Sequence, residues 1–218
     1  MENGIRLRLT APVAAKERRL AELLAARGGA AAPLPGVRAA QVEGSLALSG
    51  LEGSPDARAA LLRAVSAVDG DAALTVAALE AWQRALGGGG FRVQERERPG
   101  GPPPAPPALI RSRLAILEQW MAAPSAGELR PAQQGALALA RVVEVLPFED
   151  GNGRVARLAA SHVMVRAGAR PPILVAADGP RLVPALQAAF QLHTEPLSML
   201  LEEAAERALD VMIAEASG

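Results

Sequence analysis

Half of this chain is hydrophobic, yet only 2% of it is aromatic and it has no tyrosine. A core without large rings must be filled by alanine, leucine and valine. Alanine is the strongest helix former and lets helices approach closely. A sheet would draw instead on β-branched and aromatic residues. The 218 residues therefore predict one all-α core, with room for a small extension. Net charge is zero, which implies no polyanionic partner and so no nucleic acid. There is no cysteine, which excludes a disulfide scaffold, a thiolate metal site and a cysteine nucleophile. The start, Met1-Glu2-Asn3-Gly4, lacks a basic-then-apolar leader. No apolar run reaches the length of a membrane span. These features predict a soluble, cytoplasmic protein with no membrane partner. One lysine, Lys16, stands against 22 arginines, a bias that reads as base composition.

Helical periodicity sets the layout. A helix is expected over about 13–27, stopped by Gly28-Gly29, with a Pro/Gly/Ala linker to Gly36. Further helices are expected over about 37–50, Asp56 to Val68 and Asp71 to Leu86. Gly87 to Gly90 form a stop. Phe91-Arg92-Val93-Gln94-Glu95-Arg96 alternates in the manner of a short strand. Pro99 to Pro107 read as an extended proline-rich connector. Helices follow over Leu109 to Ala122 and from Pro131, a first-turn proline, to about Val145. Another runs to about Arg166, before Gly168 and Pro171-Pro172. Two more helices close the chain, and no repeat is visible.

The densest chemistry lies in Leu146-Pro147-Phe148-Glu149-Asp150-Gly151-Asn152-Gly153-Arg154-Val155-Ala156-Arg157. Backbone N–H groups at a helix N-terminus attract anions. Gly151 and Gly153 permit close approach to a phosphate. Asn152 can bridge the turn or donate to an oxyanion. Arg154 and Arg157, spaced i, i+3, share a helix face and can clamp successive phosphates. Asp150 is a hard oxygen ligand suited to Mg²⁺ shared with phosphate. Phe148 is the apolar plug that anchors the loop. Asp-Gly-Asn-Gly turns are common in themselves. A plain turn does not account for the two arginines and the Pro-Phe in the same register.

This segment resembles the signature of the Fic (filamentation induced by cAMP) family, His-Pro-Phe-x-Asp-Gly-Asn-Gly-Arg-x-x-Arg. Leu146 stands where that signature has its catalytic histidine. The resemblance implies a Fic-like helical core with a short β-hairpin flap. Gly90-Phe91-Arg92-Val93 resembles the flap's Gly-x-Tyr/Phe-Arg region, and Ala167 to Pro172 the segment closing the motif helix. An N-terminal helix and linker over 1–36 would precede a Fic-like domain over 37–218. That domain would hold an inhibitory-type helix at about 40–53, the flap at about 90–98 and the motif at 146–157. The resemblance also implies ATP or another nucleotide with Mg²⁺, bound by Phe148, Gly151, Asn152, Gly153, Arg154, Arg157 and, for the metal, Asp150. Many family members carry an inhibitory glutamate that pairs with the second motif arginine. Glu52, in Leu48-Ser49-Gly50-Leu51-Glu52-Gly53, is the expected counterpart for Arg157. A helix end followed by glycine would read the same way.

The family reaction is AMP transfer from ATP to a protein hydroxyl, with the histidine as general base. Leucine cannot accept a proton, so binding is expected to persist more than transfer. His162, two turns above Arg154, is expected to be a packed or solvated imidazole, and His193 has no motif support. Glu144 and Glu149 flank the position and can in principle accept a proton. The leading expectation is a Fic-fold nucleotide-binding protein, impaired in transferring AMP to a protein target. The alternatives are an active transferase of altered chemistry and a non-enzymatic interaction or regulatory module.

Overall fold

The structure is a computed structural model that describes residues 11–28, 35–68, 70–98 and 101–218. Most of the expected linker after Gly28, the start of the proline-rich connector and the first ten residues lie outside the described residues. Among the described residues the regular structure is helical: α1 (Ala11–Ala26), α2 (Pro35–Ala47), α3 (Pro55–Ser66), α4 (Val76–Ala85), α5 (Ile110–Ala122), α6 (Pro131–Val145), α7 (Asn152–Arg166), α8 (Gly179–Phe190) and α9 (Glu195–Ser217). No helix among them is long and apolar enough to cross a membrane.

The centre is the antiparallel pair α6 and α7, the most extensively packed helices of the fold. Gly135 of α6 lies close against Met164 of α7, where a Cβ would come within 2.8 Å, and both helices bury small side chains. Ala132, Ala136, Ala138 and Ala140 of α6, and Ala156, Ala159 and Ala160 of α7, are all buried. Short side chains bring the axes together and put the loop between the two helices directly over the core. Helices α5, α8 and α9 pack around α6, and α4 lies on α7. Leu61, Leu79, Ile110, Leu114, Leu139, Leu197, Leu200 and Leu201 fill the remaining core, each no more than 2% exposed.

Local chemistry sets the starts of α3 and α4. Ser54 accepts from Ala57 N at 3.2 Å and caps α3. Thr75 accepts from Ala78 N at 3.1 Å and caps α4. That cap, with Glu118 accepting from Val76 N at 2.9 Å, starts α4 at Val76 rather than near Asp71 as expected. A side-chain acceptor at the N-cap outweighs the apolar periodicity upstream.

Helix α1 lies along α9. Leu20, Val37, Leu209 and Met212 form part of a second apolar cluster there. Arg170 donates to both carboxylate oxygens of Glu17, at 2.9 and 2.7 Å. Lys16 pairs with Glu206 and Asp210.

The expected β-hairpin flap does not form among the described residues. The segment after Gly90 makes one antiparallel bridge, between Phe91 and Phe148. A strand needs a partner over several residues. Here the chain beyond Arg92 is held to the α6–α7 region by side chains, Arg96 on Glu149 and Arg98 on Glu144 O, rather than by a backbone ladder, and prolines follow.

Candidate functional site: an anion cradle at the start of α7

Helix α6 ends on Leu146, whose φ of 50° and ψ of 60° place it in the left-handed region. Leu146 N donates to Val142 O at 3.1 Å. Arg92 fixes the next link. It is 2% exposed and donates through Nε to Leu146 O at 2.7 Å. Its two terminal nitrogens donate to Gln94 O, at 2.7 Å, and to Ala105 O. Its backbone N donates to Pro147 O at 2.9 Å. A buried guanidinium satisfied by three carbonyls is a strut. It ties the Phe91 segment to the loop before α7. The sequence reading placed Arg92 in the flap without giving it this work; burial was the missing signal.

Phe148 is fully buried, with its ring 5.5 Å from that of Phe91. Asn152 bridges the turn. Its Oδ1 accepts from Phe148 N, and its Nδ2 donates to Phe148 O, both at 2.8 Å. Of the two expected roles for Asn152, the structure has the bridge, which occupies both ends of the amide.

Gly151, with φ of 78°, is the N-cap of α7 and offers no side-chain cap. The first bond of the helix runs from Val155 N to Gly151 O at 2.9 Å. The N–H groups of the first turn therefore have no intrahelical acceptor. Both arginines lie against this turn. A Cβ on Gly151 would sit 3.4 Å from an Arg154 terminal nitrogen, and one on Gly153 would sit 3.3 Å from an Arg157 terminal nitrogen. Both arginine side chains thus lie near the two glycines of this turn.

The two arginines differ in their partners. Arg154 donates to Asp150 Oδ2 at 2.8 Å, and the Asp150 side chain is 91% exposed. Arg157 is half-buried and, among the described residues, meets no carboxylate. Its Nε donates to Ser45 Oγ at 3.0 Å. One terminal nitrogen donates to Ser45 O at 3.1 Å, Ser45 Oγ at 2.9 Å and Ser49 Oγ at 2.7 Å. Burial, and then the charge of Arg154, push its pKa down to about 10. The group still carries its proton at neutral pH.

Glu52 was expected beside Arg157, and the structure corrects this. Glu52 is exposed and makes no hydrogen bond or ion pair among the described residues. It follows the last turn of α2 and points to solvent, while the hydroxyls of Ser45 and Ser49 take the guanidinium.

Other possible proton acceptors are engaged or remote. Glu149 receives Arg96 at 2.7 Å, which holds its carboxyl below the usual range. Glu144 pairs with Arg141. His162 is 3% exposed, with Nε2 2.9 Å from Ala72 O and its ring 5.4 Å from Trp82. His193 is exposed. Among the described residues no three His, Cys, Asp or Glu side chains cluster as metal ligands. Asp150 is the more exposed of the loop's two carboxylates. That donor set suits a cation such as Mg²⁺ held by one carboxylate together with phosphate oxygens.

Residues 73–164 match the Fic/DOC family. Proteins named protein adenylyltransferase Fic, from Drosophila melanogaster and Culex quinquefasciatus, are each 31% identical over 143 residues. Those residues are 62% of this chain and 28% of each relative, so the chain spans under a third of these relatives. Among solved structures, a Fic domain-containing signaling protein from Bacteroides thetaiotaomicron superposes with a TM-score of 0.77 at 18% identity, covering 95% of this chain and 98% of that one. Fic-1 from C. elegans gives 0.71 at 17% identity, covering 94% and 74%. IbpAFic2 tethered to Cdc42 gives 0.62 at 15%, covering 88% and 70%. The chain has the helical fold of Fic-domain proteins, built around a segment, residues 73–164, that carries the match to the Fic/DOC family.

Proposed function

We propose that this chain binds ATP or a related nucleotide at the start of α7 and is impaired in adenylyl transfer. The observation that carries the reading is the cradle itself. Free first-turn N–H groups, two glycines and two arginines converge beside Leu146. Charge-assisted bonds from paired guanidiniums suit successive phosphates. Arg157 supports the reading most directly, because a half-buried cation without a carboxylate partner among the described residues favours an anion that completes it. Arg154 exchanges its Asp150 partner for phosphate on binding. Asp150, thereby released at the surface, would hold Mg²⁺, which supplies charge neutralisation between phosphate oxygens.

The impairment follows from Leu146. It occupies the position at which the family's motif has its general base, and its side chain has no proton-accepting atom. Loss of such a base lowers rate by on the order of 10²–10⁴. Neither neighbouring glutamate is a ready substitute, since Arg96 and Arg141 hold them. The adenylyltransferase activity named for the curated relatives, and a protein target such as the Cdc42 of the IbpAFic2 structure, enter on this basis.

Calorimetric titration with ATP and MgCl₂ tests binding. Arg154→Ala should weaken it by about 1.5–3 kcal/mol, the range for a hydrogen bond to a charged group. A transfer assay with labelled ATP, run on the wild type and on Leu146→His, tests the rest. Little transfer by the wild type and a gain in the variant are expected. Robust transfer by the wild type that survives replacement of Asp150 or Arg154 overturns the reading, and absence of nucleotide binding favours an interaction module.

A further inference from the structure

Gln83 lies near the end of α4 and is 3% exposed. It is 67 residues from Asp150 in sequence, yet its Nε2 donates to Asp150 O at 3.0 Å. Its Oε1 is buried with no hydrogen-bond partner. The amide is boxed in by two glycines. A Cβ on Gly88 would lie 1.9 Å from Nε2, and one on Gly151 would lie 2.8 Å from Oε1. Rotating the amide would set Oε1 against the carbonyl of Asp150, oxygen facing oxygen, so only the nitrogen can hold that place.

The bond has a directional consequence. In a trans peptide the C=O and N–H point opposite ways. Holding Asp150 O toward α4 turns the Gly151 N–H away from α4. Gly151 is also the N-cap whose conformation starts α7. The Gln83 bond therefore sets the peptide from which the first-turn N–H groups fan out. Stability gives no reason for this residue. An orphaned buried acceptor is unfavourable, and an apolar side chain of similar shape avoids it.

We propose that Gln83 is a positioning residue for the phosphate cradle, fixing the Asp150–Gly151 peptide so that the N-terminus of α7 presents its donors to the ligand. The inference rests on the nucleotide reading above. Gln83 touches the loop backbone and no reacting group.

Gln83→Met keeps length and removes the donor and the orphaned acceptor together. Gln83→Glu keeps the shape and, as a carboxylate, cannot donate. Three measurements apply to the full chain: thermal midpoint, amide hydrogen exchange without ligand at Val155, whose N–H makes the first bond of α7 to Gly151 O, and calorimetric titration with ADP and with pyrophosphate. For Gln83→Met the midpoint should be unchanged or higher. Exchange at Val155 should rise at least about tenfold, and Kd for both probes should rise about tenfold. Gln83→Glu should reproduce the exchange result and weaken both probes further, because it adds a negative charge near the site. Unchanged loop exchange and unchanged affinity in Gln83→Met overturn the proposal. So does a fall in midpoint that tracks the loss of affinity, which would mark a purely structural residue. If the wild type binds neither probe, the nucleotide reading fails. The ligand-free exchange then decides separately whether Gln83 orients the loop.

Discussion

Leu146 holds a backbone conformation that leucine disfavours. The left-handed region costs an ordinary side chain about 1–2 kcal/mol, while asparagine, aspartate and histidine enter it more readily. The strain persists here because the end of α6 and the Arg92 strut both fix the Leu146 peptide groups. Leu146→Asn should therefore raise stability by about 0.5–1 kcal/mol, read as a higher urea midpoint at constant slope. A lower midpoint would mean that the packing of the half-buried leucine outweighs its strain. Histidine tolerates the same conformation, so Leu146→His should fold, and a transfer assay on it reports chemistry rather than misfolding. Arg157 is the second residue that works against stability. Desolvation, and then the charge of Arg154, disfavour its charged form and lower its pKa to about 10. Arg157→Met should raise the thermal stability of the unliganded protein by about 1–3 kcal/mol while reducing nucleotide affinity. A fall in both together would show that the hydroxyls of Ser45 and Ser49 already satisfy the guanidinium.

Between α6 and α7, Asn152 does for the loop what a cap does for a helix. Asn152→Ala removes both bonds to Phe148 and leaves a buried backbone N–H unmet, at a cost of about 1–3 kcal/mol. Denaturant unfolding should record that loss, and nucleotide affinity should fall with it because the turn no longer holds its shape. Recovery of full affinity at reduced stability would separate the clamp from the cradle. The sequence was legible here where local chemistry decides. Pro131 and Val145 bound α6 as expected, Arg166 ends α7, and the two glycines with the two arginines mark the cradle. It was illegible where a distant partner decides. Glu52-Gly53 reads equally as an inhibitory pair or a helix end, and only side-chain direction separates them. Ser45 and Ser49 are too ordinary to be singled out, and Gln83 reaches the loop from another helix. The alternation after Phe91 suits a strand, but a strand exists only if a partner lies alongside it.

Over the whole molecule the second apolar cluster joins α1 to α9 apart from the main core. Leu20 is fully buried in it. Leu20→Ala should cost about 2–5 kcal/mol locally, seen as faster hydrogen exchange across residues 11–26, with nucleotide affinity unchanged because the cradle lies in the other cluster. A drop in affinity would couple α1 to the site. The chain sums to zero formal charge, and that balance is not kept where it matters. Around the first turn of α7, two guanidiniums face one carboxylate, which already belongs to Arg154. Among the described residues, the resting protein is thus short of one counter-ion at a half-buried position. Such a deficit is filled from the medium. Phosphate or sulfate in a buffer competes for the same donors, so the apparent affinity for nucleotide is set partly by the choice of salt. Stability should likewise rise with the concentration of a multivalent oxyanion, more than with chloride at equal ionic strength.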